Sequence, residues 1–149
     1  KRKTIFQILP KKFPRVISIG RLDFMSEGLL LLTNNGDYAR KLELPGTNVL
    51  RVYRLYIKGK VKKYMISHIN KGISINGIHY NKVKVKVEKF NDPYVWLIFK
   101  LKEGKNREIR NICNYFSWNI VKLIRIGYGP YKLGKLKEGQ LQKLNSISK

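Results

Sequence analysis

The chain has 149 residues, 43% of them hydrophobic, and carries 32 lysines and arginines against 9 acidic residues. That length and composition are ordinary for a single globular domain with a real core. A formal charge of +23 repels itself, so a polyanion is the expected partner: nucleic acid first, an anionic membrane surface second. No run of 18 or more apolar residues is present, which argues against a membrane span.

Few residues could hold a metal or form a disulfide. Cys113 is the only cysteine, so it cannot form an internal disulfide, and a cysteine-based zinc site would need more ligands. His68 and His79 are isolated in the sequence and are expected to be ordinary surface or half-buried histidines. We therefore expect no metal site, and we expect the protein to be cytoplasmic.

The predicted elements mix short helices with strands. In chain order they are a helix Thr4–Leu9, strands Val16–Ile19 and Leu29–Leu32, a helix Gly36–Leu42, a turn at Pro45-Gly46, a strand Tyr53–Lys58, a helix Lys62–Asn70 closed by Gly72, strands at Val83–Val87 and Tyr94–Leu101, a helix Asn106–Phe116 and a strand Ile120–Ile126. The apolar run Leu29–Leu32 is typical of a strand covered on both faces. Valines alternate with charged residues from Val83 to Val87, which indicates an antiparallel strand with one wet face. The predicted fold class is α+β, with a mixed, largely antiparallel sheet and flanking helices.

The loop Gly20–Glu27 contains Asp23 beside Arg21, an acid in a chain with few acids. Scaffold-held loops are common places for catalytic groups. An aspartate in a loop more often makes a turn or a cap, so its position alone does not identify Asp23 as catalytic.

The helix from Asn106 is amphipathic, and Glu108 lies in its positive first turn. Its predicted core face, at helical spacing, consists of Ile109, Ile112, Cys113 and Phe116. Arg110 falls on the flank of that face. There it could meet a partly buried carboxylate and hold it ionised, or it could stay solvated or face RNA.

Basic and aromatic residues are interleaved in "KKFPR", "RVYRLY" and "YGPYKLGK". In RNA-binding proteins, lysines contact phosphates and aromatic rings stack on bases. Tyr53 begins a strand and shares a face with Leu55, so it could be such a platform or an ordinary core tyrosine. About half of the lysines are expected simply to lie on solvated faces.

Two blocks together resemble the signatures of one family, the RsuA-type pseudouridine synthases. The first is "GRLDFMSEGLLLLTNNG", and the second is "KEGKNREIRNICNYFSWNIVKLIRIGYGPYKLGKLKEGQL". They occur in the family's order, and the resemblance runs from about Arg2 to Leu144. Ser26 stands for the usual Thr and Asn35 for Asp, both mild departures, and Glu108 stands for a common Gln beside the RNA, so the RNA contact at that position stays open.

The resemblance implies roles for particular residues. Asp23 is implied to be the catalytic aspartate, Tyr53 the active-site tyrosine and Arg110 the partner of the aspartate. The residues implied to bind substrate are Arg21, Leu123, Lys105 and Arg107. The alignment of Leu123 could slip by one, to Ile124.

The implied reaction is isomerisation of a ribosomal RNA uridine to pseudouridine, more in the manner of enzymes acting on the large subunit. It needs no redox step or group donor, so no cofactor is expected. The implied partner is ribosomal RNA or a pre-ribosomal particle, and a monomer is the default. Family members carry an N-terminal S4 domain and further strands, which we expect to precede Lys1. The alternatives are a non-catalytic basic RNA-binding module of the ribosome and, with less support, a membrane-surface protein.

Overall fold

The computed structural model describes residues 9, 15–22, 25–44, 47–102 and 107–144. The strands are β1 Ile17–Ile19, β2 Glu27–Gly28, β3 Leu31–Thr33, β4 Arg51–Lys58, β5 Ile73–Ile75, β6 Ile78–Tyr80, β7 Lys84–Asn91, β8 Tyr94–Leu101, β9 Asn119–Tyr128 and β10 Tyr131–Lys132. The helices are α1 Gly36–Glu43, α2 Lys63–Lys71 and α3 Glu108–Tyr115. No helix in the described ranges is long and apolar enough to cross a membrane.

The main sheet has the strand order β10–β9–β4–β8–β7, and every neighbouring pair along it is antiparallel. The short strand β2 adds to β9 in the parallel direction. The sheet is therefore mixed and largely antiparallel, which confirms the predicted α+β class. Strands β5 and β6 form a separate hairpin that the sequence did not predict.

The large core lies between one face of this sheet and helices α2 and α3. Alternation along β4 and β8 sends Leu55, Ile57, Leu97 and Phe99 into it, all fully buried. The predicted core face of α3 is confirmed, because Ile109, Ile112 and Cys113 are buried and Phe116 packs against the same cluster. Burying such aliphatic side chains stabilises the fold by about 1.5–3 kcal/mol each.

A second, smaller cluster holds the N-terminal part of the described chain. Strands β1 and β3 pair antiparallel, and helix α1 covers them with Ala39 and Leu42. Helix α1 begins where Asn35 caps it, through a 3.0 Å hydrogen bond from the Tyr38 N–H to Asn35 Oδ1. Tyr128 at the end of β9 belongs to this cluster, so the two cores meet at β9.

The prediction of one strand across Leu29–Leu32 is wrong. Glu27–Gly28 pairs with β9 of the main sheet, whereas Leu31–Thr33 pairs with β1 of the small sheet. The apolar run thus crosses from one sheet to the other, and Leu30 and Leu32 are only half-buried. Both of its buried residues, Leu29 and Leu31, belong to the small cluster, although the backbone on either side pairs with different sheets.

The predicted start of α3 is also wrong. The cap residue is Arg107, not Asn106, and it has the left-handed conformation φ 54, ψ 30 with no side-chain cap hydrogen bond. The chain therefore turns sharply into α3 instead of entering from an extended capping residue. Asn106 itself lies outside the described residues, as do the predicted turn at Pro45-Gly46 and all of the helix Thr4–Leu9 except Leu9.

Burial should make Cys113 unreactive in the folded protein. Burial raises the pKa of its thiol to about 12, although the charge of Arg110 lowers it in part. We expect iodoacetamide to leave Cys113 unmodified at about pH 9, where an ordinary cysteine is half ionised. Mass spectrometry should then show rapid labelling only after denaturation, and equal rates in both states would contradict the buried position.

The same pKa shift has a consequence for stability. The unfolded chain loses this proton from an ordinary value of 9.0, well below the folded value of about 12. The contribution of Cys113 to the free energy of unfolding is therefore full below about pH 9 and declines above it.

Candidate active site

A pocket of about 510 Å³ opens where the N-terminus of α3, the main sheet and the segment after β1 converge. Its lining is rich in arginine and includes residues from four separate parts of the chain. These are Gly20, Arg21, Leu22 and Ser26; Glu43, Arg51 and Tyr53; Leu101 and Arg107–Arg110; and Leu123, Arg125 and Tyr128. The pocket volume suits a ligand the size of a nucleotide or a small molecule.

The floor of the pocket is one face of strands β4 and β9. Leu55 lies opposite Leu123, and Tyr53 lies opposite Arg125, with a register shift between Val52 and Tyr53. Tyr53, Leu123 and Arg125 therefore present their side chains on the same face, as expected for a two-residue period. Leu123 is buried and Tyr53 half-buried, so the floor offers an apolar base with one accessible aromatic ring.

Helix α3 forms one wall with its first turn. Arg107 is exposed, Glu108 is buried, and Arg110 is half-buried on the flank predicted for it. The Arg110 guanidinium donates from Nη2 to Ser26 Oγ at 3.3 Å. Arg110 therefore touches the chain three residues beyond Asp23.

The buried side chain of Arg125 holds both ends of the segment that contains Asp23. Its Nη1 donates to the Arg21 carbonyl at 3.2 Å, and its Nε donates to the Leu29 carbonyl at 3.0 Å. The Leu29 N–H in turn donates to the Arg125 carbonyl at 2.8 Å. The Arg125 side chain is 1% exposed, and its Nη2 has no hydrogen-bond partner among the residues that the structure describes.

Two glycines allow this segment to lie close to its supports. Gly28 has φ +116, and a Cβ there would come within 2.3 Å of the Arg125 carbonyl oxygen, so β2 can approach β9 only with glycine. Gly20 has φ +71, and its N–H donates to Glu43 Oε2 at 2.7 Å. A side chain at Gly28 would collide with the backbone of Arg125, whereas a Cβ at Gly20 would press on the Tyr128 ring at 3.1 Å in a strained backbone conformation.

The structure brings five of the predicted site residues together in this pocket: Arg21, Tyr53, Arg107, Arg110 and Leu123. Ile124 is not among the residues that line it. Asp23 and Lys105 lie outside the described residues.

Sequence reasoning missed Arg125, Ser26 and Glu43. Arg125 sits between apolar residues in "LIRIG", and a buried arginine inside a strand is an available signal that something nearby needs its hydrogen bonds. Ser26 and Glu43 carry no such signal, because small polar and acidic residues are ordinary in loops and at helix ends.

The charge of the described lining is strongly positive, with five arginines against two glutamates. Arginine presents planar, multiple donors that match phosphate oxygens, and it is always protonated. Arg51 also lies over the Tyr128 ring at 5.2 Å, which fixes its direction. The pocket can therefore take an anionic ligand and hold a neighbouring carboxylate ionised.

A family model described as RNA pseudouridylate synthase matches residues 2–115 of this chain. The chain belongs to the RNA pseudouridylate synthase family. This confirms the RsuA-type recognition made from the two sequence blocks, and the match includes Asp23, Tyr53 and Arg110.

Relatives in this synthase family are similar over almost the whole chain. An "Uncharacterized RNA pseudouridine synthase" of Rickettsia felis is 48% identical over 145 residues, covering 97% of this chain and 62% of its own length. A "Ribosomal large subunit pseudouridine synthase B" of Buchnera aphidicola is 40% identical over 151 residues, covering 99% and 59%. The chain thus spans about three fifths of the length of these curated relatives.

A solved structure described as a pseudouridylate synthase is similar in fold. It has a TM-score of 0.84 at 24% sequence identity and covers 95% of this chain and 62% of that one. The likeness supports the α+β catalytic fold of the synthase family for this chain.

Arg125→Met should loosen the segment that contains Asp23 while keeping most of the side-chain volume. Two hydrogen bonds from a charged, buried donor are lost, so we expect the free energy of unfolding to fall by about 2–4 kcal/mol. Hydrogen exchange measured by mass spectrometry should speed up for amides of residues 25–30.

Arg54→Met is the matched control. Arg54 also lies over an aromatic ring, 4.2 Å from Trp96, but its ion pair with Glu88 is solvent-exposed. Its loss should cost less than about 1 kcal/mol. Equal losses in the two variants, or unchanged exchange in Arg125→Met, would mean that Arg125 does not hold the segment.

Proposed function

We propose that this protein converts a uridine in RNA to pseudouridine. The observation that carries the proposal is the single pocket that gathers Arg21, Tyr53, Arg110 and Leu123 at the anchored segment holding Asp23. Family membership supports the same activity. A uridine cannot reach such a pocket from within a base stack, so the target nucleotide is flipped out to enter it.

In the proposed reaction, Asp23 acts as a carboxylate at C1′ of the target ribose. The N-glycosidic bond breaks, by direct attack or through a glycal, and the detached uracil turns within the pocket. A C–C bond then forms from C1′ to C5 of the base as the Asp23 carboxylate leaves C1′ or, on the glycal route, as the proton returns to C2′; C5 loses a proton and N1 gains one. The reaction is an isomerisation, so no oxidant or group donor is consumed.

The surrounding residues take supporting roles in this proposal. Tyr53 stacks on the base and helps to remove the C5 proton, and Leu123 packs under the base from the apolar floor. Arg110 keeps Asp23 charged in a site with little water, because a nearby cation favours the ionised form. Arg21, Arg107 and Lys105 contact the backbone of the flipped nucleotide and its neighbours.

We infer that the substrate is large-subunit ribosomal RNA. The sequence form "GKNREIR" resembles that branch of the family, and similar proteins from Buchnera aphidicola carry the name ribosomal large subunit pseudouridine synthase B. A formal charge of +23 suits so large a polyanion. The expected cytoplasmic location and monomeric state stay predictions.

Asp23→Asn should abolish conversion, because the amide cannot act as the anionic group at C1′. Large- and small-subunit rRNA lacking the modification would be incubated with protein, both naked and as ribosomal particles. Carbodiimide labelling and reverse transcription would then map pseudouridine. We expect one new stop in large-subunit rRNA with the parent protein and none with the variant.

Asp37→Asn is the matched control, since Asp37 is a fully solvated acid on α1, with 96% of its side chain exposed. It should convert RNA at the parent rate. A stop in small-subunit rRNA would overturn the substrate assignment alone. Tight RNA binding with no stop on any substrate would favour the alternative, a non-catalytic RNA-binding module.

Arg110→Gln should change the pH dependence of conversion. In this proposal Arg110 is the cation that favours the ionised form of Asp23, and the reaction needs that form, so activity is lost at low pH first. We expect the acid limb of the single-turnover rate profile to move up by about 1–3 pH units.

Arg40→Gln serves as the control for charge, because Arg40 is exposed on α1 and pairs only with Asp37 among the described residues. Its profile should overlay the parent profile. A uniform loss of rate in Arg110→Gln, with no movement along the pH axis, would contradict the assigned role of Arg110.

A further inference from the structure

The main sheet has a second face that is directed away from the pocket. Leu55 and Leu97 point into the core, so their neighbours on β4 and β8 point to the other side. Helices α2 and α3 join the core cluster of the first face, within the part of the chain that the structure describes. We call the second face of β7, β8, β4 and β9 the open face.

The centre of the open face is a stack of aromatic rings. Tyr56 stacks on Trp96 with centroids 4.5 Å apart, and on Tyr94 with centroids 5.2 Å apart. Arg54 continues the stack over Trp96 at 4.2 Å. The three residues are half-buried, so each keeps some surface accessible to solvent.

Lysines surround these rings. Those that register and alternation place on the open face are Lys58, Lys84, Lys86, Lys89, Lys100 and Lys122, and all are exposed. Glu88 is the acid on this face among the described residues, and it bonds Arg54 at 2.8 Å. The open face therefore presents six lysines whose positive charge it leaves largely unneutralised.

We propose that the open face binds a single-stranded segment of the RNA substrate, outside the target uridine. Accessible aromatic surface within a field of positive charge is the common device for holding unpaired bases and their phosphates. The pocket takes one nucleotide on the other face of the same sheet, so flanking RNA would pass around the sheet edge. The proposal deepens the proposed function, on which it rests for its RNA partner.

A merely solvated face would not need this composition. Cross-strand pairs of opposite charge stabilise a wet sheet face, whereas like charges placed opposite each other destabilise it. Here Lys84 lies opposite Lys100, and Tyr56 lies between Trp96 and Lys122. An anionic polymer over this face would relieve that repulsion and release counterions.

The test uses oligouridine as the probe and the fluorescence of Trp96 as the signal. The chain has two tryptophans, and Trp118 is 2% exposed with its Nε1 bonded to the Lys60 carbonyl, so it should respond little. We expect oligouridine to quench the fluorescence of the parent protein and to leave a Trp96→Tyr variant unchanged. Binding confined to the pocket would leave Trp96 unquenched, which would overturn the proposal.

Two charge-matched triple variants separate the open face from general electrostatics. The first variant replaces Lys86, Lys100 and Lys122 by Gln and should weaken oligouridine binding at least about tenfold. The slope of the logarithm of the binding constant against the logarithm of salt concentration should become shallower by about 2, since each lost phosphate contact in a single strand removes about 0.7. The control replaces Lys62, Lys63 and Lys71, which are exposed on helix α2 or next to its start, on the other side of the sheet. Equal weakening in both triples would overturn the proposal.

Two further outcomes distinguish RNA binding from membrane binding, and binding at the open face from catalysis in the pocket. Quenching by phosphatidylserine vesicles with none by oligouridine would overturn the proposal in favour of a membrane surface. Oligouridine binding at the open face by a protein that converts no uridine would support the proposal and overturn the catalytic function.

Discussion

The candidate active site depends on one buried cation. The Arg125 guanidinium ties the carbonyls of Arg21 and Leu29, which are the two ends of the segment holding Asp23. A buried charge is costly unless hydrogen bonds compensate it, so the segment and Arg125 stabilise each other. Because Arg125 belongs to β9, its hydrogen bonds attach the ends of the segment to the main sheet, which also carries Tyr53 and Leu123. The described residues at both ends of the segment are therefore anchored to the main sheet.

The two faces of the main sheet carry different features of the molecule. One face carries the core and, where helix α3 begins, the pocket. Helix α3 contributes to both, since Ile112 and Cys113 are buried while Arg110 reaches Ser26. The stability of the core and the geometry of the pocket are consequently coupled through a single short helix. The other face keeps its rings and lysines outside this coupling, so it can change with little effect on the pocket.

Much of the fold was predictable because its signals are local. The strand Tyr94–Leu101, the alternating valines of β7 and the amphipathic face of α3 all follow from the spacing of apolar residues. The failures involve partners distant in sequence. The run Leu29–Leu32 divides between two sheets because Arg125, nearly a hundred residues later, forms a hydrogen bond to the Leu29 carbonyl, while Leu31 pairs with β1. The cap of α3 was predicted at the wrong residue because the chain enters the helix through Arg107 in a left-handed conformation. An arginine gives no sequence signal for that conformation, unlike glycine or asparagine. Of the site, the pocket residues were identified from motif resemblance, whereas periodicity alone placed Arg110 only on a flank.

The pocket also shows where this lysine-rich protein depends on arginine. The chain has 9 arginines and 23 lysines, and five of those arginines line this pocket. On solvated faces the two residues are nearly equivalent as charges, so exchange between them is tolerated. At Arg125 the exchange is not conservative, because one ammonium group cannot reach two carbonyls that a planar guanidinium spans from different nitrogens. A genome under pressure to replace arginine codons with lysine codons would therefore meet its limit at this pocket, and the surviving arginines would outline the site.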